Sequence, residues 1–200
     1  MDFSNPLRTV APGVEGDVMA TLLRSHVPLT GARVAALSER GETQVRQVLR
    51  RLEEHGLVDV ERHGQSYTYL MNREHVLVAG LEALQGAMPT VEARVRSLVS
   101  GWASPPVSMV LFGSAARRDG GDDSDIDLLL VRPDDIDADD QTWAEQRHDL
   151  AQSVERWTGN RAQVVELSNA ELAKARRRKE PLMGELQADG VVLAGQDPRA

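Results

Sequence analysis

Residues 111–128 read LFGSAARRDGGDDSDIDL, and this stretch decides the fold of the second half of the chain. It continues one apolar run, Val107–Phe112, and leads into another, Ile126–Val131. Apolar runs of this length, bounded by glycine and aspartate, predict buried strands. Gly113 permits a sharp turn where the first strand ends, and Ser114 opens a helix. The sequence therefore predicts a strand, a turn, a short helix, a polar loop and a second strand.

Two carboxylates interrupt the second apolar run. Asp125 and Asp127 lie two residues apart, so a strand projects both side chains from one face. An unpaired charge within a buried strand is costly, which favours a cation between them. Two carboxylates can share hard cations such as Mg²⁺ or Mn²⁺. The acidic residues of the preceding loop, in contrast, are expected to form a solvated turn.

The opposite side of the same stretch offers groups for phosphate. Gly113 allows close approach of a phosphate to the backbone, and Ser114 adds a hydroxyl. Arg117, one turn further along, can reach a phosphate or brace the loop. Transfer of a nucleotidyl group requires hydrogen-bond donors that hold the phosphates, opposite carboxylates that bind the metal ion.

With these residues, the segment resembles the DNA polymerase β-like nucleotidyltransferase superfamily, in its minimal form. The signature is Gly-Ser, ten residues and Asp-x-Asp, and Gly113-Ser114 and Asp125-Ile126-Asp127 fit it without insertion. Phe112, Arg117 and Ser124 also look like the family, and the resemblance covers about 107–195. It implies a mixed sheet flanked by helices, an NTP ligand bound near Gly113, Ser114, Arg117 and Ser124, and a divalent metal on Asp125 and Asp127.

The family also implies a third carboxylate on a neighbouring strand, which helps to deprotonate or orient the attacking hydroxyl. The candidate strand is 161–167, where Gln163 stands at the expected position and Glu166 follows three residues later. An odd offset places Glu166 on the opposite face unless the strand ends or bulges first. Two alternatives stay open: Glu166 completes a catalytic set with Asp125 and Asp127, or the third acid is absent.

The first half shows three helical segments and then two alternating segments around a glycine turn, within 14–70. Three helices followed by a hairpin indicate a winged helix. Residues 29–70 resemble winged helix-turn-helix regulators of the MarR/ArsR kind. The resemblance implies that the helix capped by Thr43 enters a DNA major groove. The residues expected to reach bases or phosphates are Thr43, Gln44, Arg46, Gln47, Arg50 and, at the hairpin tip, Arg62. Acidic neighbours, including Glu53 and Glu61, instead favour a protein-binding winged helix.

The predicted organisation is an α/β (α+β) chain with two domains. Residues 1–13 form a flexible lead-in, 14–73 the winged helix, 74–104 connecting helices with a break at Met88-Pro89, and 105–200 the nucleotidyltransferase domain. The net charge is −8, of which −7 falls on residues 81–200, so that half repels phosphate unless metal ions intervene. The absence of cysteine, of a secretory leader and of a membrane span favours a cytoplasmic protein.

Three functions follow from this organisation. The first is a Mg²⁺-dependent enzyme that moves a nucleoside monophosphate from an NTP to a hydroxyl, coupled to DNA binding. The second is a DNA-binding transcriptional regulator whose transferase domain is a nucleotide sensor or pseudoenzyme. The third is an antitoxin-like nucleotidyltransferase that acts on a helical, toxin-like partner protein. Residues 74–101 can also supply the contact of a homodimer.

Overall fold

The computed structural model describes residues 1–199, which divide into two compact units. One unit comprises residues 5–87, and the other combines residues 1–4 with residues from 88 onward. The predicted connecting segment 74–104 is therefore split between the units. The predicted lead-in 1–13 is split as well.

The unit of residues 5–87 contains the helices and the hairpin that the sequence predicts. Its helices are the 3-10 turn Pro6–Thr9, α1 (Val14–Arg24), α2 (Gly31–Ser38), α3 (Glu42–Glu54) and α4 (Val78–Gln85). Its strands are β1 (Leu29–Thr30), β2 (Val58–His63) and β3 (Ser66–Met71), which form an antiparallel sheet in the order β1-β3-β2. The apolar faces of α1, α2 and α3 meet in one core around Leu22, Val34 and Leu49.

Local signals explain where these helices begin and end. The Thr30 hydroxyl accepts a hydrogen bond from the Arg33 amide and caps α2, as predicted. Helix α3 begins at Glu42 after Gly41, so Thr43 lies inside its first turn and is not the cap. Gly56 follows the helix with a φ of +71°, a conformation that glycine adopts without strain.

A buried carboxylate organises the start of this unit. Asp17 on α1 is 3% exposed. One of its oxygens accepts hydrogen bonds from Asn5 Nδ2 at 2.9 Å and Arg8 Nε at 2.6 Å, and the other accepts from Arg40 Nε at 2.6 Å. Burial tends to raise the pKa of Asp17, but the bonds from both arginines outweigh it and hold that pKa below its usual value. The network ties the 3-10 turn and the end of α2 to α1.

The second unit is a mixed sheet with helices on both faces. Its strands are β4 (Ser108–Phe112), β5 (Ile126–Arg132), β6 (Ala162–Ser168) and β7 (Val191–Gly195), in the order β6-β5-β4-β7. Its helices are α5 (Ala87–Ser100), α6 (Gly113–Arg117), α7 (Gln141–Thr158), α8 (Asn169–Arg178) and α9 (Pro181–Asp189). Strand β4 is antiparallel to β5 and β7, whereas β5 and β6 are parallel. The predicted α/β fold of this half is confirmed.

Successive side chains of β5 point to opposite faces of the sheet and so belong to two different cores. Leu128 and Leu130 pack with Trp143 of α7 and Val95 of α5, on one face of the sheet. Leu129 belongs to the core on the other face, under α8 and α9. Because both faces are covered, the strand is nearly continuously apolar, and any polar residue in it needs a partner.

The predicted helix break at Met88-Pro89 is wrong by a few residues. Helix α4 ends at Gly86, whose amide donates to the Glu82 carbonyl, and α5 begins at Ala87. Pro89 therefore lies in the first turn of α5, where a helix needs no amide hydrogen from it. Met88 is buried in the core of the second unit.

The first residues of the chain are folded against the polar loop between α6 and β5. The amides of Phe3 and Ser4 donate to the Gly120 carbonyl at 2.8 and 3.2 Å. Phe3 is 2% exposed and belongs to the same core as Trp143. Asn160 Nδ2 donates to the carbonyls of Met1, Asp122 and Ser124. Residues 1–4 are thus a structural part of the second unit.

No helix within residues 1–199 is long and apolar enough to cross a membrane.

Substitution Asp17→Asn tests the buried network. Removing one member of a buried ion pair leaves its partners uncompensated, so we expect a loss of about 2 to 3 kcal/mol in unfolding free energy at pH 7. Because folding lowers the pKa of Asp17, its contribution is complete above the usual value and disappears as the pH falls through the folded pKa. Urea unfolding of the wild type and variant should therefore begin to converge below about pH 3.8 and should coincide once the pH is below the folded pKa. The exposed Asp59→Asn serves as the control, and an equal loss there would contradict the assignment.

Candidate functional site

The pairing of β4 with β5 brings the Gly-Ser turn next to the carboxylate of Asp127. Phe112, the last residue of β4, lies opposite Asp127 of β5. Gly113 then has a φ of +69°, and a Cβ added to it would lie 2.5 Å from Asp127 Oδ2. Any side chain here would strain the backbone and displace the carboxylate. The glycine therefore allows the Asp127 carboxylate to lie directly beside the turn.

The Asp127 carboxylate lies in a strongly negative environment. Burial raises its pKa, and the charges of Asp125, Glu185 and Asp189 raise it further. Only Arg117 acts in the opposite direction. Asp125 precedes β5 by one residue, and Glu185 and Asp189 are one helical turn apart on α9. A cation placed at Asp127 would relieve this repulsion.

Gly120, in the polar loop between α6 and β5, lies close to the Gly-Ser turn. A Cβ added to Gly120 would lie 2.7 Å from Ser114 Oγ and 2.9 Å from Ser124 Cβ. The predicted residues Ser114 and Ser124 are therefore brought close to one another across Gly120. Asn160 holds the loop through the Ser124 carbonyl at 3.0 Å. The ten-residue spacing of the motif is thus folded into a compact loop.

Arg117 is held between two carboxylates. Its Nε donates to Asp119 Oδ2 at 2.9 Å, and its Nη1 donates to Asp189 Oδ2. Both bonds raise the pKa of Arg117. The Asp189 side chain is only 8% exposed, and within residues 1–199 its Oδ1 atom has no hydrogen-bond partner. Asp119, expected to be a solvated turn residue, therefore takes part in positioning Arg117.

Gln163, at the position expected for a third acid, and Glu166, the alternative acid, lie on opposite faces of β6. Gln163 is paired with Asp127 across the parallel β5–β6 ladder, so their side chains share a face. Glu166 is paired with Leu130 and faces the other core. It accepts from Arg132 Nε at 3.0 Å and from Arg147 Nη1 at 2.5 Å. The structure does not bring Glu166 to the carboxylate pair, because β6 runs through 162–168 without a bulge.

Asp125 and Asp127 fit a divalent cation that arrives with phosphate. Carboxylate oxygens are hard donors, and Mg²⁺ is commonly held by one or two carboxylates together with substrate phosphates. Among residues 1–199, no group of three or more histidine, aspartate or glutamate side chains is arranged to hold a metal ion. Water molecules or phosphate oxygens would complete the coordination of a cation on this pair.

The predicted DNA-contacting residues share one exposed surface of the first unit. Those on α3 are all exposed, namely Thr43, Gln44, Arg46, Gln47 and Arg50. Arg46 pairs with Glu42 at 3.0 Å and Arg50 with Glu54 at 2.9 Å. At the hairpin tip, Arg62 Nε donates to the Gly64 carbonyl at 3.0 Å. Exposed ion pairs of this kind contribute little, so a phosphate can replace the glutamates at small cost.

Sequence reasoning missed the α9 carboxylates and the loop contacts. Glu185 and Asp189 are about sixty residues from Asp127, and no motif connects them. Their spacing of four on one helix shows only that they share a face. Gly120 and Asn160 act through backbone contacts, which leave no pattern in side-chain type.

Comparison with known proteins finds one family match, which lies within the second unit. Residues 90–183 match the nucleotidyltransferase domain family. These residues include the Gly-Ser turn, both carboxylates and Gln163. The match does not extend to residues 5–87, where the winged helix stays a prediction. Among curated proteins, none matches the chain.

Several solved structures resemble the chain at low identity. A crystal structure of a toxin–antitoxin with AMP-PNP is 22% identical, covers 52% of this chain and 73% of its own, and has a TM-score of 0.37. A putative nucleotidyltransferase from Sulfolobus solfataricus is 20% identical over 53% of this chain and 85% of its own, with a TM-score of 0.28. TrmBL2, an archaeal chromatin protein with a novel mode of DNA binding, is 16% identical over 82% and 68%, with a TM-score of 0.29. These TM-scores are all below 0.5, so the likeness carries no functional information about this chain.

Substitution Asp127→Asn is expected to stabilise the metal-free protein. Because folding raises the pKa of Asp127, its ionised form costs stability above the folded pKa, and the cost vanishes below about pH 3.8. The variant should therefore melt roughly 1 to 3 °C higher than the wild type at pH 7 in EDTA, with no difference near pH 3. The exposed loop variant Asp123→Asn is the control. A lower melting temperature for Asp127→Asn at pH 7 would contradict the account.

Proposed function

We propose, from the match of residues 90–183 to the nucleotidyltransferase domain family, that the chain transfers a nucleoside monophosphate from an NTP to a hydroxyl. One observation carries the proposal: Gly113 brings the turn against the Asp127 carboxylate, with Asp125 and Arg117 beside it. Groups for phosphate and groups for a divalent metal therefore meet within one small region.

The phosphates are assigned to the turn and to Arg117. In this proposal the phosphate approaches Gly113 and Ser114, which are partly exposed and begin α6. Arg117 already contacts two carboxylates, Asp119 and Asp189, which hold its guanidinium in place. Charge-assisted bonds between guanidinium and phosphate are strong, so an incoming phosphate can exchange for one of them.

Asp125 and Asp127 hold Mg²⁺ or Mn²⁺ in this proposal. When bound, the metal stabilises the charge that develops on the transferred phosphate. Asp127 gains most from it, because its charge is otherwise opposed by burial and by neighbouring carboxylates. Metal and nucleotide are thus expected to bind together.

The position of Gln163 supports a second candidate, a nucleotide sensor without turnover. Gln163 lies beside Asp127, where a third acid would help to deprotonate or orient the acceptor hydroxyl. An amide cannot accept that proton at neutral pH, although it can hydrogen-bond the hydroxyl. Nucleotide binding is expected in both candidates, and only transfer separates them.

The molecule that carries the acceptor hydroxyl distinguishes the alternatives. A hydroxyl on a partner protein would agree with the antitoxin-like alternative, and a hydroxyl on a nucleic acid or small molecule would agree with a polymerase-like reaction. Incubation of the protein with each NTP, labelled at the α-phosphate, Mg²⁺ and cell extract shows which class of molecule becomes labelled.

Thermal shifts and labelling test the first candidate together. NTP with Mg²⁺ should raise the melting temperature, and Asp125→Asn and Asp127→Asn should each abolish that rise. Label transfer should fall by about 100-fold or more in both variants, because the metal no longer stabilises the reacting phosphate. Glu166→Gln is the matched carboxylate control and should keep the NTP-dependent rise, since it faces the other core.

Substitution Gln163→Asp separates the two candidates. If the wild type transfers label, Gln163→Asp should retain or increase the rate. A wild type that binds NTP with Mg²⁺ but labels nothing, together with labelling by Gln163→Asp, would favour the sensor. A wild type in which NTP and Mg²⁺ produce no shift would contradict both candidates.

We also propose that the first unit binds DNA through α3. The exposed polar residues of that helix form one surface, while its apolar residues Val45, Leu49 and Leu52 are buried. The arginines on this surface are paired only with glutamates of the same helix. The acidic residues nearby keep a protein-binding role as the alternative.

Salt dependence tests the DNA proposal on the full chain. Arg46→Ala and Arg50→Ala should each weaken binding to duplex fragments selected from a random pool, and each should reduce the salt slope by about one. Arg96→Ala is the matched control, because Arg96 pairs with Glu92 across one turn of α5 at 3.4 Å, in the second unit. Equal effects of all three variants, or no selection of any fragment, would contradict an α3 interface.

A further inference from the structure

A cavity of about 510 Å³ lies where the end of α8, the face of α9 and the segment after β7 meet. Small-molecule sites have volumes of roughly 300 to 1,000 Å³, so this cavity has the size of one. None of its lining residues belongs to the Gly-Ser turn or to the carboxylate pair. The transfer reaction proposed above leaves this cavity without a role.

Cations line one part of the cavity, on a chain whose net charge is −8. They are Arg176, Lys179 and Arg199. Arg199 is matched by Asp197, with Nε and Nη2 contacts of 2.8 Å each, and this bond lowers the pKa of Asp197 to about 2. Arg176 donates to the Pro198 carbonyl, and its charge also acts on Asp197. Set against Asp197 and the lining residue Glu180, the three cations leave a net positive charge available for an anion.

The remaining lining residues suit the rest of a nucleotide. Pro181 and Met183 contribute apolar surface. The Glu180 carboxylate and the Gln187 amide can accept hydrogen bonds from hydroxyl or amino groups. A site for inorganic phosphate alone needs neither the apolar surface nor the acceptors.

Gly184 leaves space in the wall of the cavity. It lies inside α9, where glycine is less favourable for the helix than alanine. A Cβ added to it would meet no heavy atom within 4 Å. The missing side chain keeps the helix surface open, so a flat group can approach the backbone. The same space makes Gly184 a position that can be filled without strain.

We propose that this cavity is a second ligand site, which binds a phosphorylated small molecule of the size of a nucleoside monophosphate. The phosphate contacts Arg176 and Lys179, and the flat part lies against Pro181 and the open surface at Gly184. Binding here requires no metal ion, in contrast to the carboxylate site.

The experiment uses the full chain in EDTA, with AMP and inorganic phosphate as probes in calorimetry. The double variant Arg176→Gln/Lys179→Asn should weaken AMP binding by about tenfold or more, since two charge-assisted contacts are lost. Asparagine is chosen because residue 179 has a φ of +52°, which asparagine tolerates. The matched control is Arg177→Gln/Arg178→Gln, which removes the same charge from adjacent positions that do not line the cavity. It should stay within about twofold of the wild type.

Substitution Gly184→Met tests occupancy with all charges intact. It should abolish AMP binding and keep binding of inorganic phosphate, because the side chain fills only the space for the flat part. Asp127→Asn should leave AMP affinity in EDTA unchanged.

Four results would overturn the proposal. Equal losses in the two double variants would indicate diffuse attraction, and no effect of Gly184→Met would place AMP outside the cavity. A change in Asp127→Asn would place it at the carboxylate site. AMP bound no better than inorganic phosphate, or not at all, would remove the nucleotide from the site. Circular dichroism of each variant verifies that it is folded.

Discussion

The candidate site depends on one contact, between the backbone of Gly113 and the carboxylate of Asp127. It follows from the antiparallel register that places Phe112 opposite Asp127. A shift of one residue in this register would turn Asp127 into a core and move an apolar side chain to the turn. The buried residues on both faces of β5 prevent that shift. The apolar packing of the sheet therefore fixes the geometry of the charged site.

Local signals were sufficient to predict the strands and most helices of the second unit. The apolar runs at 107–112 and 126–131 have strand length, and Ser168 and Asp140 cap the helices that follow them. The two carboxylates stand out because they interrupt an apolar run. Such features depend on residues close together in the chain, so one sequence contains the information. Pro89 misled the prediction because proline is compatible with the first turn of a helix.

Contacts between distant residues could not be predicted in the same way. The alternation of β6 already placed Gln163 and Glu166 on opposite faces, but only the structure shows that the strand has no bulge between them. The partner of Arg117 on α9 is seventy-two residues away. The segment 1–13 that contains Phe3 holds two prolines and a glycine, so its sequence predicts a flexible lead-in. The burial of Phe3 in the second unit depends on a gap beside Gly120 that the sequence does not reveal.

If the site binds metal and nucleotide as proposed, its balance of charge makes the two ligands depend on each other. Burial and the charges of Asp125, Glu185 and Asp189 raise the pKa of Asp127, and Arg117 lowers it, so a phosphate without a cation meets net repulsion. A divalent cation on two carboxylates keeps several waters, and phosphate oxygens can replace some of them. Each ligand therefore supplies what the other lacks, and the binding of either one must raise the affinity for the other by the same factor. The carboxylates on α9 strengthen this dependence, because they increase the repulsion that the cation relieves. In the proposed function, the site would thereby discriminate the metal-bound nucleotide from free phosphate compounds before any chemical step takes place.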